Sequence, residues 1–231
     1  MFAGSRPLVR TFVIISLVAT LVISFVYSDS VRFGHADVPL AATAADIQPL
    51  VAGDTAPHFT VETVAGERFE FEPRKLERPV MLVSFRGGWC PYCNLHLSEL
   101  RHVLPEIQGM GIDVLFLSGD RSDILVRSLR SETREAIDGL GYTILSDANA
   151  RAALALGIAF RASDRTIERR RENGDDIESS SMARHGVLPV PAVFAINQDG
   201  IITFMHANPD YKVRLSADEL LDAANGLARG K

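Results

Sequence analysis

The sequence predicts an α/β domain, in which helices cover both faces of a sheet, behind an N-terminal membrane-spanning segment. Short apolar runs alternate with helical patterns, which is typical of this class. A long stretch without charges lies near the N-terminus, and a Cys-x-x-Cys pair stands where a predicted strand gives way to a helix. We assign residues 1–10 to a cytoplasmic N-terminus, 11–28 to a transmembrane signal anchor, 29–52 to a linker and 53–231 to the domain.

Strand and helix patterns order the elements of the domain. Alternating stretches at 58–64 and 67–71 flank an Ala-Gly pair, which is typical of a hairpin. The apolar run 80–85 predicts a buried strand, and Pro91 suits the first turn of the helix after it. The later elements are strands at 112–117 and 142–145, a charged helix at 122–140, a short helix at 149–156, a hairpin of 192–196 and 201–205, and a helix at 217–229 capped by Ser216.

A polar segment at residues 161–188 interrupts this alternation. It contains three consecutive arginines, Arg169, Arg170 and Arg171, and acidic residues follow them at once. We interpret the segment as a solvated loop with local charge compensation rather than as an anion site.

Composition and charge exclude several classes of function. Of the 231 residues, 47% are apolar and 23% are charged, so a packed globular domain is expected. The net charge of -5 offers no attraction for a phosphate backbone, so we expect no nucleic-acid partner. The sequence has no glycine-rich phosphate loop and no haem-attachment motif, and we therefore expect no cofactor.

The N-terminal span determines the expected compartment. Residues 11–28 carry no charge, Arg6 and Arg10 precede them, and the length can cross a bilayer. The positive-inside rule then places the domain outside the cytoplasm. We predict a single-pass protein of the cytoplasmic membrane, with a periplasmic domain in a Gram-negative cell. The alternative is a signal peptide cleaved near 34–36 or 42–44, which would release a secreted or periplasmic protein.

Cys90 and Cys93 are the only cysteines, too few for a disulfide framework or a four-cysteine zinc site. Cys90 should open a helix, where unpaired backbone N–H groups and the helix dipole favour a thiolate. Such positions lower a thiol pKa from about 8.5 to roughly 3.5–7.5. We therefore predict that Cys90 is the nucleophile and that Cys93, one turn later, resolves the oxidised product.

The residues around the pair suggest how a substrate is held. Trp89 and Tyr92 offer aromatic surface on which a protein substrate could dock. Arg86 can add positive charge near the thiolate, or it can be an ordinary arginine at a strand end. Gly87 and Gly88 free the backbone for a turn or for close approach of a substrate.

The stretch 85–100, which contains Arg-Gly-Gly-Trp-Cys-Pro-Tyr-Cys, resembles the peroxiredoxin-like branch of the alkyl hydroperoxide reductase C/thiol-specific antioxidant superfamily. Residues 53–59, 188–194 and 208–211 with Arg214 support the resemblance, which extends from about residue 53 to the C-terminus. It implies a thioredoxin-like fold, with a central mixed sheet flanked by helices. It also implies a thiol peroxidase that reduces hydroperoxides through a Cys90–Cys93 dithiol/disulfide cycle, with a thioredoxin-like or other dithiol as electron donor.

The resemblance also implies roles for individual residues. Pro191 corresponds to the cis-proline that faces the active site in thioredoxin folds. Ordinary peroxiredoxins carry Thr or Ser three residues before the reactive cysteine and an arginine from a distant strand, but this chain has Gly87 and Pro191 at those places. Peroxide activation then depends on Arg86, Arg214 or backbone N–H groups, or it is slow. Gly88 and Trp89 complete the expected substrate-binding set.

Three other functions remain open at this stage. The same cysteines would serve a membrane-tethered thiol-disulfide oxidoreductase acting on protein disulfides, a reading that Gly87 and Pro191 favour. A non-enzymatic redox-sensing module is the second. A metal site of Cys90, Cys93 and His96 is the third, with no evident fourth ligand. We interpret the other histidines as structural or solvent-exposed. Asp120 and Asp147, which follow predicted strands, are interpreted as cap or turn residues.

Overall fold

The computed structural model describes residues 40–137, 140 and 142–230. The predicted span 11–28 and the N-terminal part of the predicted linker lie outside these residues. Within the described part of the chain, no helix combines the length and the apolar character needed to cross a bilayer.

Nine strands and seven helices are present in the described residues. The strands are β1 (Phe59–Thr63), β2 (Arg68–Phe71), β3 (Val80–Phe85), β4 (Asp113–Ser118), β5 (Thr143–Ser146), β6 (Ala159–Arg161), β7 (Val187–Pro189), β8 (Ala192–Ile196) and β9 (Ile202–Ala207). The helices are α1 (Pro91–Leu100), α2 (Leu104–Gly109), α3 (Ser131–Ile137), α4 (Arg151–Ala155), α5 (Asp164–Glu172), α6 (Ser181–His185) and α7 (Ala217–Arg229).

Seven strands form one mixed sheet in the order β2-β1-β5-β4-β3-β8-β9, and β6 pairs with β7 separately. β3 runs parallel to β4 and antiparallel to β8, so it lies in the middle of the sheet. All six of its side chains are buried. A strand covered on both faces has to be continuously apolar, as this one is apart from Ser84.

The alternation of side chains along β3 supplies both hydrophobic cores. Met81, Val83 and Phe85 join the cluster that contains both cysteines and buried residues of α1, α2 and α7. Val80 and Leu82 face the opposite cluster, which contains β1 and α4 residues. The mixed sheet between two apolar layers agrees with the predicted fold class.

The predicted helix 122–140 is wrong as a continuous element. A short 3₁₀ turn at Ser122–Ile124 and the separate helix α3 replace it. Leu125 and Leu129 between them are buried in the core, and the Arg130 N–H donates to Asn94 Oδ1 at 2.9 Å. These tertiary contacts override the helical pattern and bring the segment against α1.

The predicted loop 161–188 is also wrong, since it carries α5, α6 and β7. Ser163 and Ser180 cap the two helices by accepting backbone N–H groups of Thr166 and Ala183. The charge compensation predicted within the segment 161–188 is confirmed by two ion pairs, Arg170–Asp175 at 3.1 Å and Arg171–Glu178 at 2.6 Å.

Residues 40–52 differ from the tether expected there. The Leu50 N–H donates to the Leu156 carbonyl at 3.1 Å, and the Arg161 N–H donates to the Ala41 carbonyl at 2.8 Å. Thr43 caps a 3₁₀ turn at Ala44–Asp46. This stretch is therefore fastened to the domain by backbone hydrogen bonds.

Candidate active site

The cysteine pair lies where β3 ends and α1 begins. β4 runs parallel beside β3, with Ser118 opposite Phe85, so the residues after both strands meet at one edge of the sheet. Cys90 is the N-cap of α1, and Pro91 occupies its first turn as predicted. Groups that follow different strands are therefore brought around the two sulfurs.

Both cysteines are reduced and have no exposed surface. The Cys90 N–H donates to the Gly87 carbonyl at 3.2 Å, which closes the turn before the helix. Cys93 lies in the first turn of α1, and the Cys90 thiol donates to its sulfur. The proton of this hydrogen bond therefore belongs to the pair of sulfurs rather than to one residue alone.

The electrostatics differ from the prediction that Cys90 carries the lowered pKa. Hydrogen bonding to Cys93 and burial raise the pKa of the Cys90 thiol. Burial also opposes ionisation of Cys93, yet donation from Cys90 and the positive charge of Arg214 lower its pKa to about 6. Arg214 Nη2 lies 3.4 Å from Cys93 Sγ. Donation from Cys90 and this guanidinium contact therefore favour the thiolate on Cys93 over one on Cys90.

A second buried guanidinium lies near the pair. Arg86 is 6% exposed; burial lowers its pKa, and the nearby charges of Cys90 and Cys93 act against that lowering, so the guanidinium and a thiolate of the pair stabilise each other. Its guanidinium carbon lies 4.2 Å from the ring centroid of Tyr211 and 5.8 Å from that of Phe160. Arg86 is therefore held in the site by aromatic rings rather than exposed at a strand end.

The loop before α7 fastens Arg214 in place. Arg214 Nε donates to the Tyr211 carbonyl at 2.6 Å. His96 Nε2 lies 2.8 Å from the Leu215 carbonyl, and burial lowers the pKa of His96 to about 4. His96, a member of the candidate metal set, thus binds this loop. The described residues contain no group of three or more His, Cys, Asp or Glu side chains arranged for a metal ion.

Helix α5 of the polar segment covers Trp89. The Arg170 guanidinium carbon lies 5.2 Å from the Trp89 ring centroid, and Trp89 is only 8% exposed. The ion pair with Asp175 orients Arg170 over the ring. Trp89 is consequently packed under α5, whereas Tyr92 is 39% exposed and meets the Tyr211 ring edge-on at 5.5 Å.

Two polar side chains fix the glycine turn. The Gly88 N–H donates to Asp120 Oδ2 at 2.7 Å, and Asn94 Nδ2 donates to the Gly88 carbonyl at 2.6 Å. A Cβ on Gly88 would lie 2.2 Å from the Ser128 backbone, so only glycine fits there. Asp120 was interpreted as a turn residue. The sequence signal that could have placed Asp120 at the site is its position just after β4, because β4 runs parallel to β3 and the two strands end at the same edge of the sheet.

Pro191 differs from the expectation. It is buried between β7 and β8, and none of the described peptide bonds is cis. The Val190 N–H donates to the Ile158 carbonyl at 2.8 Å, and Pro189 pairs with Ala159, which keeps the chain extended into β8. Among the described residues, Pro191 takes part in none of the hydrogen bonds that build the site.

A family profile described as the AhpC/TSA family matches residues 52–205. The chain belongs to the AhpC/TSA family. Peroxiredoxin Bcp from Escherichia coli is 29% identical over 112 residues, which cover 48% of this chain and 67% of that protein. The thiol-disulfide oxidoreductase ResA from Bacillus thuringiensis is 22% identical over 148 residues, which cover 64% of this chain and 65% of that protein.

The fold agrees with that of solved structures of similar proteins. Prx3 from Vibrio vulnificus, solved in its reduced form in complex with hydrogen peroxide, matches with a TM-score of 0.58 at 16% identity. The match covers 76% of this chain and 99% of that one. The domain therefore has the thioredoxin-like fold, and this AhpC/TSA protein is an oxidoreductase of the thiol peroxidase or thiol-disulfide oxidoreductase type.

Proposed function

We propose that the protein is a thiol peroxidase that reduces small hydroperoxides through Cys90 and Cys93. The observation that carries this proposal is the complete burial of both sulfurs beside the guanidinium of Arg214. A small hydroperoxide can reach such a site with slight side-chain movement. A protein disulfide has to bring its own sulfur into contact with Cys90, which the reduced, fully covered pair does not allow; reduction of the Cys90–Cys93 disulfide by a protein dithiol therefore requires the oxidised site to open.

The chemistry starts from the shared proton. The Cys93 thiolate takes the proton of Cys90, and the Cys90 thiolate attacks the terminal oxygen of ROOH. The O–O bond breaks, Cys90 becomes a sulfenic acid, and the leaving RO⁻ takes the proton back from Cys93 to form ROH. The Cys93 thiolate then attacks the sulfenic sulfur, which gives the Cys90–Cys93 disulfide and releases hydroxide, protonated to water.

The two arginines stabilise the charge that moves during this sequence. Arg86 and Arg214 are fixed before the reaction by aromatic rings and by the Tyr211 carbonyl. Preorganised cations in a site closed to water stabilise a developing oxyanion without reorganising. An external dithiol, of the thioredoxin-like kind or another, reduces the disulfide and completes the cycle.

A second candidate function is reduction of protein disulfides, at a membrane if residues 11–28 anchor the chain. Exposed apolar side chains next to the site favour it: Tyr92 is 39% exposed and Leu95, on the same helix, is 58% exposed. Apolar surface beside a reactive thiol can dock a protein partner. The anchor, with the domain outside the cytoplasm, is part of our proposal, and a cleaved signal peptide is its alternative.

An assay with dithiothreitol as donor separates the two functions. We expect catalytic consumption of hydrogen peroxide and only weak reduction of insulin disulfides. The double variant Cys90→Ser/Cys93→Ser provides the background for both reactions. Fast insulin reduction without peroxide consumption would overturn the proposal in favour of the disulfide reductase.

A further inference from the structure

Two arginines beside the cysteines have no carboxylate partner. None of the ion pairs among the described residues includes Arg86 or Arg214. Two of their nitrogens, Arg86 Nε and Arg214 Nη1, are buried and have no hydrogen-bond partner within the described part of the protein. Buried charges are normally paired, because the loss of their hydration is costly. The site therefore contains positive charge that no acidic side chain neutralises by direct contact.

The thiolate of the reduced pair supplies negative charge to both guanidiniums. Arg214 Nη2 lies 3.4 Å from Cys93 Sγ. The charges of Cys90 and Cys93 oppose the effect of burial on the pKa of Arg86, whereas the positive charge of Arg214 adds to that effect. The two arginines thus repel each other, and the negative charge of the reduced pair stabilises both.

Oxidation of the pair removes this negative charge. In a Cys90–Cys93 disulfide neither sulfur is ionised, while an arginine stays charged at neutral pH. The attraction between Arg214 and Cys93 is then lost, and the repulsion between Arg214 and Arg86 remains. Interactions that stabilise the reduced form of a Cys-x-x-Cys pair relative to its disulfide make the pair a stronger oxidant.

We propose that the Cys90–Cys93 disulfide is a strong oxidant that passes its oxidising equivalents to a protein dithiol, so that the partner keeps a new disulfide. This inference rests on the proposed peroxidase function, which supplies the Cys90–Cys93 disulfide. It makes the electron donor a substrate in its own right. In one cycle the hydroperoxide is reduced, the partner dithiol is oxidised, and the Cys90–Cys93 pair returns to its starting state.

The position of Arg214 also determines which sulfur the partner attacks. A partner thiolate attacks Cys90 Sγ, the S–S bond breaks, and Cys93 leaves as a thiolate beside Arg214, because the better stabilised thiolate leaves faster. The second partner thiol loses its proton and attacks the partner sulfur of the mixed disulfide, which forms the partner's disulfide and releases the Cys90 thiolate. One of the partner's two protons ends on Cys90, and the other goes to Cys93 or to water.

The first experiment compares the full-length protein with the catalytic domain of protein disulfide isomerase, a known oxidising dithiol/disulfide couple. Both are equilibrated in the same series of glutathione buffers at about pH 8, above the pKa of Cys93. Thiols are then alkylated, and the reduced fraction is counted by mass spectrometry. We expect the Cys90–Cys93 pair to be more reduced than the isomerase pair in every buffer. A pair as oxidised as that of the isomerase, or more oxidised, would overturn the inference.

The variants test whether the arginines are the cause. Arg214→Met should shift the glutathione equilibrium toward the disulfide by about tenfold or more, because an opposite charge in contact stabilises a thiolate by about 1–3 pKa units. Arg214→Lys keeps the charge and should stay close to the unmodified protein. Lys212→Met, which removes an exposed charge from the same loop, should equal it. No shift in Arg214→Met would also overturn the inference. If Arg214→Met does not fold, Arg86→Met is expected to shift the equilibrium in the same direction and decides in its place.

The second experiment follows the transfer to a protein dithiol. Reduced, unfolded ribonuclease A is mixed with hydrogen peroxide and a catalytic amount of the full-length protein, and the loss of ribonuclease thiols is measured. We expect this loss to be faster than with peroxide alone, and Cys90→Ser/Cys93→Ser to give the background rate.

The failure of this inference and that of the proposed function are distinguishable. A protein that consumes peroxide with dithiothreitol but leaves the ribonuclease thiols reduced would overturn the transfer while the peroxidase proposal stands. A protein that is more reduced than the isomerase in glutathione but consumes no peroxide would overturn the peroxidase proposal and not the oxidising character of the pair.

Discussion

Replacement of Cys90 by serine should reduce peroxide turnover by at least about a thousandfold, because the nucleophile that takes up the oxygen is lost. Cys93→Ser should still react once with peroxide. Its Cys90 sulfenic acid then has no partner thiol within the protein and persists long enough to be trapped with dimedone. The measurement is peroxide consumption for turnover and peptide mass spectrometry for the position of the adduct.

Because the pKa of Cys93 is lowered, these two variants also decide which of the two cysteines is the nucleophile. If the resting thiolate itself were the nucleophile, Cys90→Ser would keep the fast first oxidation and carry the dimedone adduct on Cys93. That result would reverse the two roles. A Cys90 adduct in Cys93→Ser, together with an inert Cys90→Ser, is what the proposed proton transfer from Cys90 to Cys93 requires.

Replacement of Arg214 by methionine should raise the pKa of the Cys93 thiol from about 6. An opposite charge in contact with a thiolate lowers its pKa by about 1–3 units, so its removal shifts the titration upward by that order. At about pH 7 the thiolate fraction then falls, and the peroxide reaction slows by about tenfold. The titration is followed by the ultraviolet absorbance of the thiolate and by the reaction rate across the same pH range.

Lys212→Met is the matched control for Arg214→Met. It removes one positive charge from the same loop, but Lys212 is exposed and two residues away. We expect its titration and rate to match those of the unmodified protein. The Arg214→Met defect should shrink as the pH rises above the raised pKa, because the thiolate then forms without the guanidinium. A defect that is constant across this pH range would show that Arg214 acts only on the developing oxyanion and does not lower the pKa of the thiol.

The sequence was sufficient where local pattern decides the structure. The apolar run of β3, Pro91 at the start of α1 and the Ser216 cap of α7 are all read from neighbouring residues. The cysteine pair at the junction of β3 and α1 follows from the same local signals. The family resemblance then indicated the thioredoxin-like fold in which these elements are combined.

The features that the sequence did not predict depend on contacts between residues far apart in the chain. Asn94 holds Arg130 and ends the pattern that predicted one long helix at 122–140. Arg170 packs on Trp89 from a segment predicted to be a loop. The lower pKa of Cys93 depends on Arg214, which is 121 residues away in the chain. No periodicity or spacing in the sequence encodes contacts of this kind.

The most direct test of the account is stopped-flow fluorescence of Trp89, the only tryptophan of the chain, during oxidation of the reduced protein. Trp89 precedes Cys90, so formation of the sulfenic acid and then of the disulfide should change its emission in two phases. We expect hydrogen peroxide to produce both phases far faster than it oxidises a free thiol, and Cys93→Ser to show only the first. A peroxide reaction no faster than that of a free thiol would contradict the assignment of this AhpC/TSA protein as a peroxidase.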